Sequence, residues 1–103
     1  MWAQLIKMRL KPGKDAGLES LLDHLQATEQ PGSGLVRSTT MIDQQDPSLV
    51  YTMVVFESEE QARAREQDPR RTERLQNVRA TMAEMFEGAP EFIDLNIVGE
   101  MAT

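Results

Sequence analysis

At 103 residues with a formal net charge of −6, the chain has the size of one domain with its own hydrophobic core. It has no cysteine, which excludes disulfides, zinc–thiolate sites, iron–sulfur clusters and thiol nucleophiles. The acidic balance repels nucleic-acid phosphates, and no apolar run approaches the roughly 20 residues that span a bilayer. We therefore expect a single domain over residues 1–103, located in the cytoplasm, with neither nucleic acid nor membrane as a partner.

The first third of the chain is typical of a strand followed by an amphipathic helix. Residues 2–10 carry no helical stripe, and the turn at Pro12-Gly13 ends this extended segment. A helix is predicted over residues 15–28, because leucines recur there at the spacing of one helical face. These leucines are Leu18, Leu21, Leu22 and Leu25. The helix is predicted to end before Pro31-Gly32-Ser33-Gly34.

Residues 35–43 and 49–57 predict an antiparallel hairpin, because only a short turn-like segment separates them. The first of these strands is polar on both faces and is expected near a sheet edge. In the second strand both alternating rows are apolar, as is typical of a central strand that is covered on both sides. One row holds Val50, Thr52, Val54 and Phe56, and the other holds Tyr51, Met53 and Val55. The sequence leaves open which row faces the helices.

Two helical segments are predicted after the hairpin. Ser58 and Gln61 form a capping box that begins a short helix reaching about residue 66. Asp68 as N-cap and Pro69 as the first helical residue begin a second segment. Its apolar stripe is formed by Leu75, Val78, Met82, Met85 and Phe86.

The last element is predicted to be a strand over residues 92–101, where apolar and polar side chains alternate. Gly88 is placed as the C-cap of the preceding helix, and Pro90 prevents that helix from continuing. At about ten residues this strand is longer than the typical five or six. Its end is therefore expected to pair with the sheet of a second subunit.

The element order is β-α-β-β-α-β, which predicts an α+β fold of the ferredoxin-like type. Right-handed crossovers place both helical regions on one face of a four-stranded antiparallel sheet. The other face is left with apolar side chains from the first and third strands, and such a patch is an association site. We therefore expect a homodimer in which two sheets pack face to face.

Several segments together resemble the antibiotic-biosynthesis monooxygenase-like family over essentially the whole chain. These segments are Lys11-Pro12-Gly13, Pro31-Gly32-Ser33-Gly34, Phe56-Glu57-Ser58-Glu59-Glu60-Gln61-Ala62, Asp68-Pro69 and Gly88-Ala89-Pro90. The resemblance implies a dimeric α+β barrel. Known members include cofactor-independent oxygenases that act on quinols and polyketide aromatics, haem-degrading enzymes, and proteins without an assigned activity.

The chain departs from the haem-degrading members of that family. Those members share an asparagine on the first strand, where this chain has about Ile6, and a tryptophan and a histidine in the second helical region. Residues 62–79 contain neither of the latter two residue types. No haem and no other bound cofactor is therefore expected.

Three residues are candidates for catalysis. His24 is the only histidine and the only group that titrates near neutrality without help; it lies on the flank of the leucine face and is either exposed or at a pocket edge. One histidine cannot build a metal site alone, and no spacing of carboxylates resembles a ligand motif, so no metal is predicted. Tyr51 and Arg37 lie on strands and are the remaining groups that could stabilise a deprotonated substrate.

A substrate pocket is predicted between the sheet and the helices. Its candidate residues are Trp2, Met8, Leu22, Met82 and Phe86. Ordinary core packing is the alternative for each of them, since aromatic and methionine side chains usually fill cores.

Six arginines within residues 63–79 are interleaved with acidic residues, which indicates either a helix face with ion pairs or a docking patch for an anionic ligand. The resemblance favours a monooxygenase for a small aromatic or quinol that uses molecular oxygen. A dimeric module that binds a small apolar or aromatic ligand without catalysis is the alternative. An isomerase or cyclase would need an acid/base pair that the sequence does not offer.

Overall fold

The computed structural model describes residues 1–29 and 31–103, and the predicted element order is confirmed there. The elements are β1 (Trp2–Leu10), α1 (Leu18–Ala27), β2 (Leu35–Ile42), β3 (Leu49–Phe56), α2 (Glu59–Glu66), α3 (Pro69–Met85) and β4 (Phe86–Asn96). A 3-10 turn at Asp15–Gly17 leads into α1. The second helical region consists of two segments, as the two capping signals predicted.

The four strands form one antiparallel sheet in the order β2-β3-β1-β4. In the central pair, Trp2 lies opposite Phe56 and Met8 lies opposite Val50. Trp2 also pairs with Asn96 on β4. This strand order follows from two β-α-β crossovers, and the ferredoxin-like prediction is confirmed.

Both predicted helix starts of the second helical region are confirmed by their caps. The Ser58 side chain accepts a hydrogen bond from the Gln61 backbone N–H, and its hydroxyl also donates to the Gln61 side-chain oxygen at 3.2 Å. Asp68 accepts from the Arg70 N–H at 2.9 Å, and Pro69 is the first residue of α3. These bonds satisfy donors that the first helical turn leaves without partners.

The prediction for the last strand is wrong in its position. β4 begins at Phe86, directly after α3, and ends at Asn96. Gly88 is not a C-cap but a strand residue with a φ of +64°, in a stretch where the register between β4 and β1 shifts. Pro90 is tolerated in β4 because this strand lies at the sheet edge, where one row of backbone groups needs no ladder partner.

One face of the sheet carries the core. The even-numbered residues of β1 and β3 point towards the helices, and Leu10 and Val50 pack with buried side chains of α1 and α3. Trp2, Val54 and Phe56 form a second buried cluster with Ala62 of α2. In the part of the chain that the structure describes, no helix combines the length and the apolar character needed to cross a membrane.

The odd-numbered residues of β1 and β3 point to the opposite side of the sheet, which we call the open face. Alternation along each strand and the pairing register place six large, mainly apolar side chains there. They are Leu5, Met41, Tyr51, Met53, Ile93 and Leu95. The question that the sequence left open is thus decided by register: the Tyr51, Met53 and Val55 row faces away from the helices.

Residues 97–103 continue beyond β4 without strand structure. The Ile97 N–H lies 3.4 Å from the Met1 carbonyl oxygen, and the Glu100 carboxylate lies 3.2 Å from the Arg37 guanidinium on β2. Since β2 and β4 are the two edge strands, this tail runs from one edge of the sheet to the other. Val98 and Met101 within it are 99% and 96% exposed, respectively.

Candidate functional site

The three candidate catalytic residues are spread over the protomer: Tyr51 and Arg37 lie apart on the open face, and His24 lies on α1. Tyr51 is half-buried on the open face, whereas His24 is exposed on α1, with its Nδ1 2.7 Å from the Ser20 carbonyl oxygen. Arg37 is on the open-face row of β2 and is paired with Glu100. Met41 is the β2 residue opposite Tyr51, so Arg37 lies four residues, or about 13 Å, further along the sheet. The protomer therefore does not bring these three side chains into one site.

Four of the five candidate pocket residues do come together. Met8, Leu22, Met82 and Phe86 all pack against the buried cluster between the sheet, α1 and α3. Phe86 does so from the first position of β4 and not from the helical stripe, which corrects its predicted location. Trp2 belongs to the other cluster, under α2. All five side chains serve as core contacts in this structure, and their role towards a ligand stays a prediction.

The Trp2 cluster is covered by arginines from α2. The Trp2 and Phe56 rings lie 6.1 Å apart at an angle of 46°. The Arg63 guanidinium lies 5.1 Å from the centre of the Trp2 ring, and the Arg65 guanidinium lies 5.4 Å from the centre of the Phe56 ring. Cations at these distances are attracted to the faces of aromatic rings. The two arginines therefore help to hold α2 against the sheet.

Arg63 also forms ion pairs with three carboxylates. Its guanidinium lies 2.8 Å from Asp94 on β4, 3.3 Å from Glu59 and 3.4 Å from Glu66. The hydrogen bond to Asp94 raises the pKa of Arg63. The pKa of Asp94 is lowered, first by a hydrogen bond from the Gln4 side chain and then by Arg63. The prediction of an arginine face with ion pairs is confirmed here.

The lowered pKa of Asp94 predicts an acid-sensitive link between α2 and β4. A carboxyl group with a lower pKa in the folded state stabilises the fold above its unfolded pKa of about 3.9 and loses that contribution as the pH falls towards the folded value. Carboxyl-carbon NMR titration should show the Asp94 pKa rising both in Gln4→Ala and in Arg63→Gln. An Asp94 pKa that is the same in wild type and both variants would contradict this assignment.

A cleft of about 180 Å³ lies between residues 28, 29 and 31–33 on one side and the junction of α2 and α3 on the other. Its lining residues are Thr28, Glu29, Pro31, Gly32, Ser33, Gln61, Ala64, Arg65, Asp68, Arg70 and Arg71. Arg65 binds both carboxylate oxygens of Glu29, with contacts of 2.6 to 3.1 Å. The Ser33 hydroxyl donates to the same carboxylate at 2.8 Å. These bonds join the segment after α1 to α2.

Arg71 is the polar residue of this cleft that the sequence could not single out. Its Nε is buried and makes no hydrogen bond within residues 1–29 and 31–103. Burial lowers the pKa of Arg71, and the like charge of Arg65 adds to that effect. Sequence spacing shows that six arginines cluster, but it cannot show which of them is buried with an Nε that lacks an acceptor among the described residues. No group of three or more histidine, cysteine, aspartate or glutamate residues in the described ranges is placed to hold a metal ion.

Comparison with known proteins rests on structure alone. No protein-family model matches the chain, and neither does any curated protein sequence. A "putative antibiotic biosynthesis monooxygenase" from Chloroflexus aurantiacus superposes with a TM-score of 0.68 at 22% identity, covering 99% of this chain and 98% of its own. One of the same description from Bordetella bronchiseptica gives 0.75 at 16% identity, covering 94% and 96%.

A protein of unknown function from Nitrosomonas europaea is similar over the same length, with a TM-score of 0.73 at 17% identity, covering 99% of this chain and 93% of its own. At these identities the likeness establishes the fold and not the chemistry. Over nearly its full length, this chain has the ferredoxin-like α+β fold of the antibiotic biosynthesis monooxygenase-like proteins.

Proposed function

We propose that the protein is a homodimeric monooxygenase that acts on a small aromatic or quinol substrate with molecular oxygen and without a bound cofactor. The observation that carries this proposal is the near-full-length similarity to several structures described as "putative antibiotic biosynthesis monooxygenase".

The homodimer is supported by the open face of the sheet. Its apolar side chains run across all four strands, and two of them, Met41 and Leu95, are 43% and 37% exposed. An apolar sheet face of this kind is stabilised when a second sheet covers it. Val98 and Met101 add apolar surface that a second protomer would cover. A second copy of the chain, with its open face against this one, buries both features.

The chemistry requires an electron-rich substrate anion, since no cofactor supplies electrons. An activated carbon that bears two hydrogens reacts with O₂; one oxygen atom becomes the carbonyl oxygen of the product. The other oxygen leaves as water together with the two hydrogens of that carbon. The protein must hold the substrate in an apolar site and stabilise its oxyanion. Tyr51 and Arg37 are the candidates on the open face; because Arg37 is paired with Glu100, Tyr51 is assigned that hydrogen bond.

Oxygen uptake with a panel of quinols and polyphenols tests this activity. Wild type should consume oxygen with at least one of them, and Tyr51→Phe should lower the rate at least tenfold, since one oxyanion donor is typically worth about 10²–10³ in rate. Arg37→Ala and His24→Asn test the other two candidates, and heat-denatured protein is the control. If the wild type is active and none of the variants is slower, the assigned residues are wrong although the enzyme is real.

The second candidate is a dimeric module that binds a small apolar or aromatic ligand without catalysis. The separation of these residues favours it, because acid/base and oxyanion groups must converge on one reacting atom. Tyr51 and Arg37 are about 13 Å apart on the open face, and His24 lies on α1. An absence of oxygen uptake with every compound of the panel, together with saturable calorimetric binding of one of them, would replace the enzyme by this module.

A further inference from the structure

The cleft at the junction of α2 and α3 is lined by three guanidinium groups and two carboxylates, so it contains one positive charge more than its carboxylates neutralise. Arg65 is bound to Glu29 through two contacts of 3.0 and 2.6 Å on different oxygens. Arg70 is bound to Asp68 in the same forked manner, at 3.1 and 2.8 Å. In a forked pair of this kind, the guanidinium donates two parallel hydrogen bonds to the two oxygens of one carboxylate. Arg71 is the third guanidinium in the lining, and it remains outside both pairs.

The surroundings of Arg71 do not supply its missing partner. Arg65 and Arg79 repel its charge, whereas Glu29 and Glu66 attract it from a distance. The Glu29 oxygens accept from Arg65 and Ser33, and Glu66 is paired with Arg63 at 3.4 Å. The Arg71 guanidinium forms no hydrogen bond or ion pair within residues 1–29 and 31–103, and its Nε is shielded from solvent. A buried N–H without an acceptor is unfavourable, so an acceptor that enters the cleft is stabilised.

We propose that this cleft binds the carboxylate group of a small ligand through Arg71. One surplus positive charge and one planar fork of donors match a singly charged carboxylate, which accepts two parallel N–H bonds. A dianionic phosphate would leave an uncompensated negative charge beside Glu29 and Asp68. The proposal stands independently of the oxygenase activity, because neither Tyr51 nor the open face contributes to this cleft.

The size and setting of the cleft agree with a small ligand. Its volume of about 180 Å³ accepts an aromatic or short aliphatic acid but not a folded domain or a nucleic acid. The protein as a whole has a net charge of −6, so anions are not drawn to it by its overall field. Selective binding of a carboxylate would therefore depend on the local guanidinium.

Titration with sodium benzoate, followed in ¹H–¹⁵N NMR spectra that include the arginine Nε–H signals, tests the proposal on the full chain. Ionic strength is held constant with sodium chloride, because exposed charges are screened by salt. We expect a saturable shift of the Arg71 Nε–H signal and of the Gly32 and Ser33 amides. Arg71→Gln should weaken binding at least tenfold. Arg74→Gln removes the same charge from an exposed position of α3 outside the lining and should change binding less than twofold.

The other outcomes of this titration each overturn the proposal. Equal binding by Arg71→Gln and wild type would show that Arg71 is not the site. Equal weakening by both variants would show that only the net charge of α3 matters. A titration with inorganic phosphate that saturates at lower concentration than benzoate, and is lost in Arg71→Gln, would assign the cleft to phosphate. Amide dispersion in both variants shows that each is folded, so a loss of binding is a property of the site.

Discussion

Met53→Asp is expected to convert the protein from a dimer into a folded monomer. Met53 lies at the centre of the open face, between Leu5 of β1 and Thr39 of β2. In a free protomer its carboxylate would point into water, whereas in the proposed dimer it would be buried without a partner, at a cost of several kcal/mol. Light scattering should report about twice 11.7 kDa for the wild type and about 11.7 kDa for the variant. Its far-UV circular dichroism should remain that of the wild type.

Val54→Asp is the matched control, because the neighbouring side chain points to the other face of the same strand. Val54 is 9% exposed and packs with Trp2, Phe56 and Ala62. A carboxylate in this cluster removes several kcal/mol from a fold whose total stability is of the order of 5–15 kcal/mol. We expect this variant to unfold. A monomeric wild type, or a Met53→Asp variant that stays dimeric, would contradict the proposed interface.

The contrast between these two positions shows what the sequence could predict about the sheet. The strand at residues 49–57 and its central position followed from apolar residues in both alternating rows. The same pattern concealed the orientation, because a strand that is apolar on both faces reads alike from either side. Only the register that places Trp2 opposite Phe56, under α2, assigns the even row to the helices. The assignment depends on contacts between residues more than 50 positions apart.

The end of α3 shows the opposite case, in which local signals were misleading. Gly88 and Pro90 are typical helix-terminating residues, yet the helix ends at Met85 and both residues belong to β4. The irregular register between β1 and β4 accommodates them, and an edge strand tolerates the missing N–H of proline. Tertiary pairing with β1 therefore outweighs the local signals. Phe86 does pack against the core, as the sequence predicted, but it does so from β4 and not from the helix.

The candidate site was less predictable than the fold for a physical reason. The composition identifies rare groups such as His24 and Tyr51, but catalysis depends on their relative positions across the sheet. Alternation along one strand shows which residues share a face of the sheet, but it does not show which of the two faces the helices cover. Likewise, a cluster of arginines is visible in the sequence. That the Arg71 Nε has no acceptor among the described residues depends on groups in α2, α3 and the segment after α1.

Gly34→Ala is expected to destabilise the protein by about 2–5 kcal/mol, although the change adds only one methyl group. Gly34 has a φ of +84°, a conformation that costs an L-residue roughly 1–2 kcal/mol. An added Cβ would also lie 2.7 Å from both Cβ and Cδ of Gln61, the residue whose backbone N–H bonds to the α2 cap. The Gly34 carbonyl accepts from the Glu57 N–H at 2.9 Å, so the loop cannot move away freely. Urea unfolding at fixed protein concentration measures the loss.

Gly13→Ala separates the two contributions to that loss. Gly13 has a φ of +77°, close to that of Gly34, but an added Cβ there meets no atom within 4 Å. The backbone strain and the reduced entropy of the unfolded chain are therefore shared by both variants and cancel in their difference. We expect Gly13→Ala to lose at most about 1–2 kcal/mol, and Gly34→Ala to lose a further 1–3 kcal/mol, approximately, from the contact with Gln61. Equal losses would show that the Gln61 side chain moves aside and that the close approach of residues 31–34 to α2 does not require glycine.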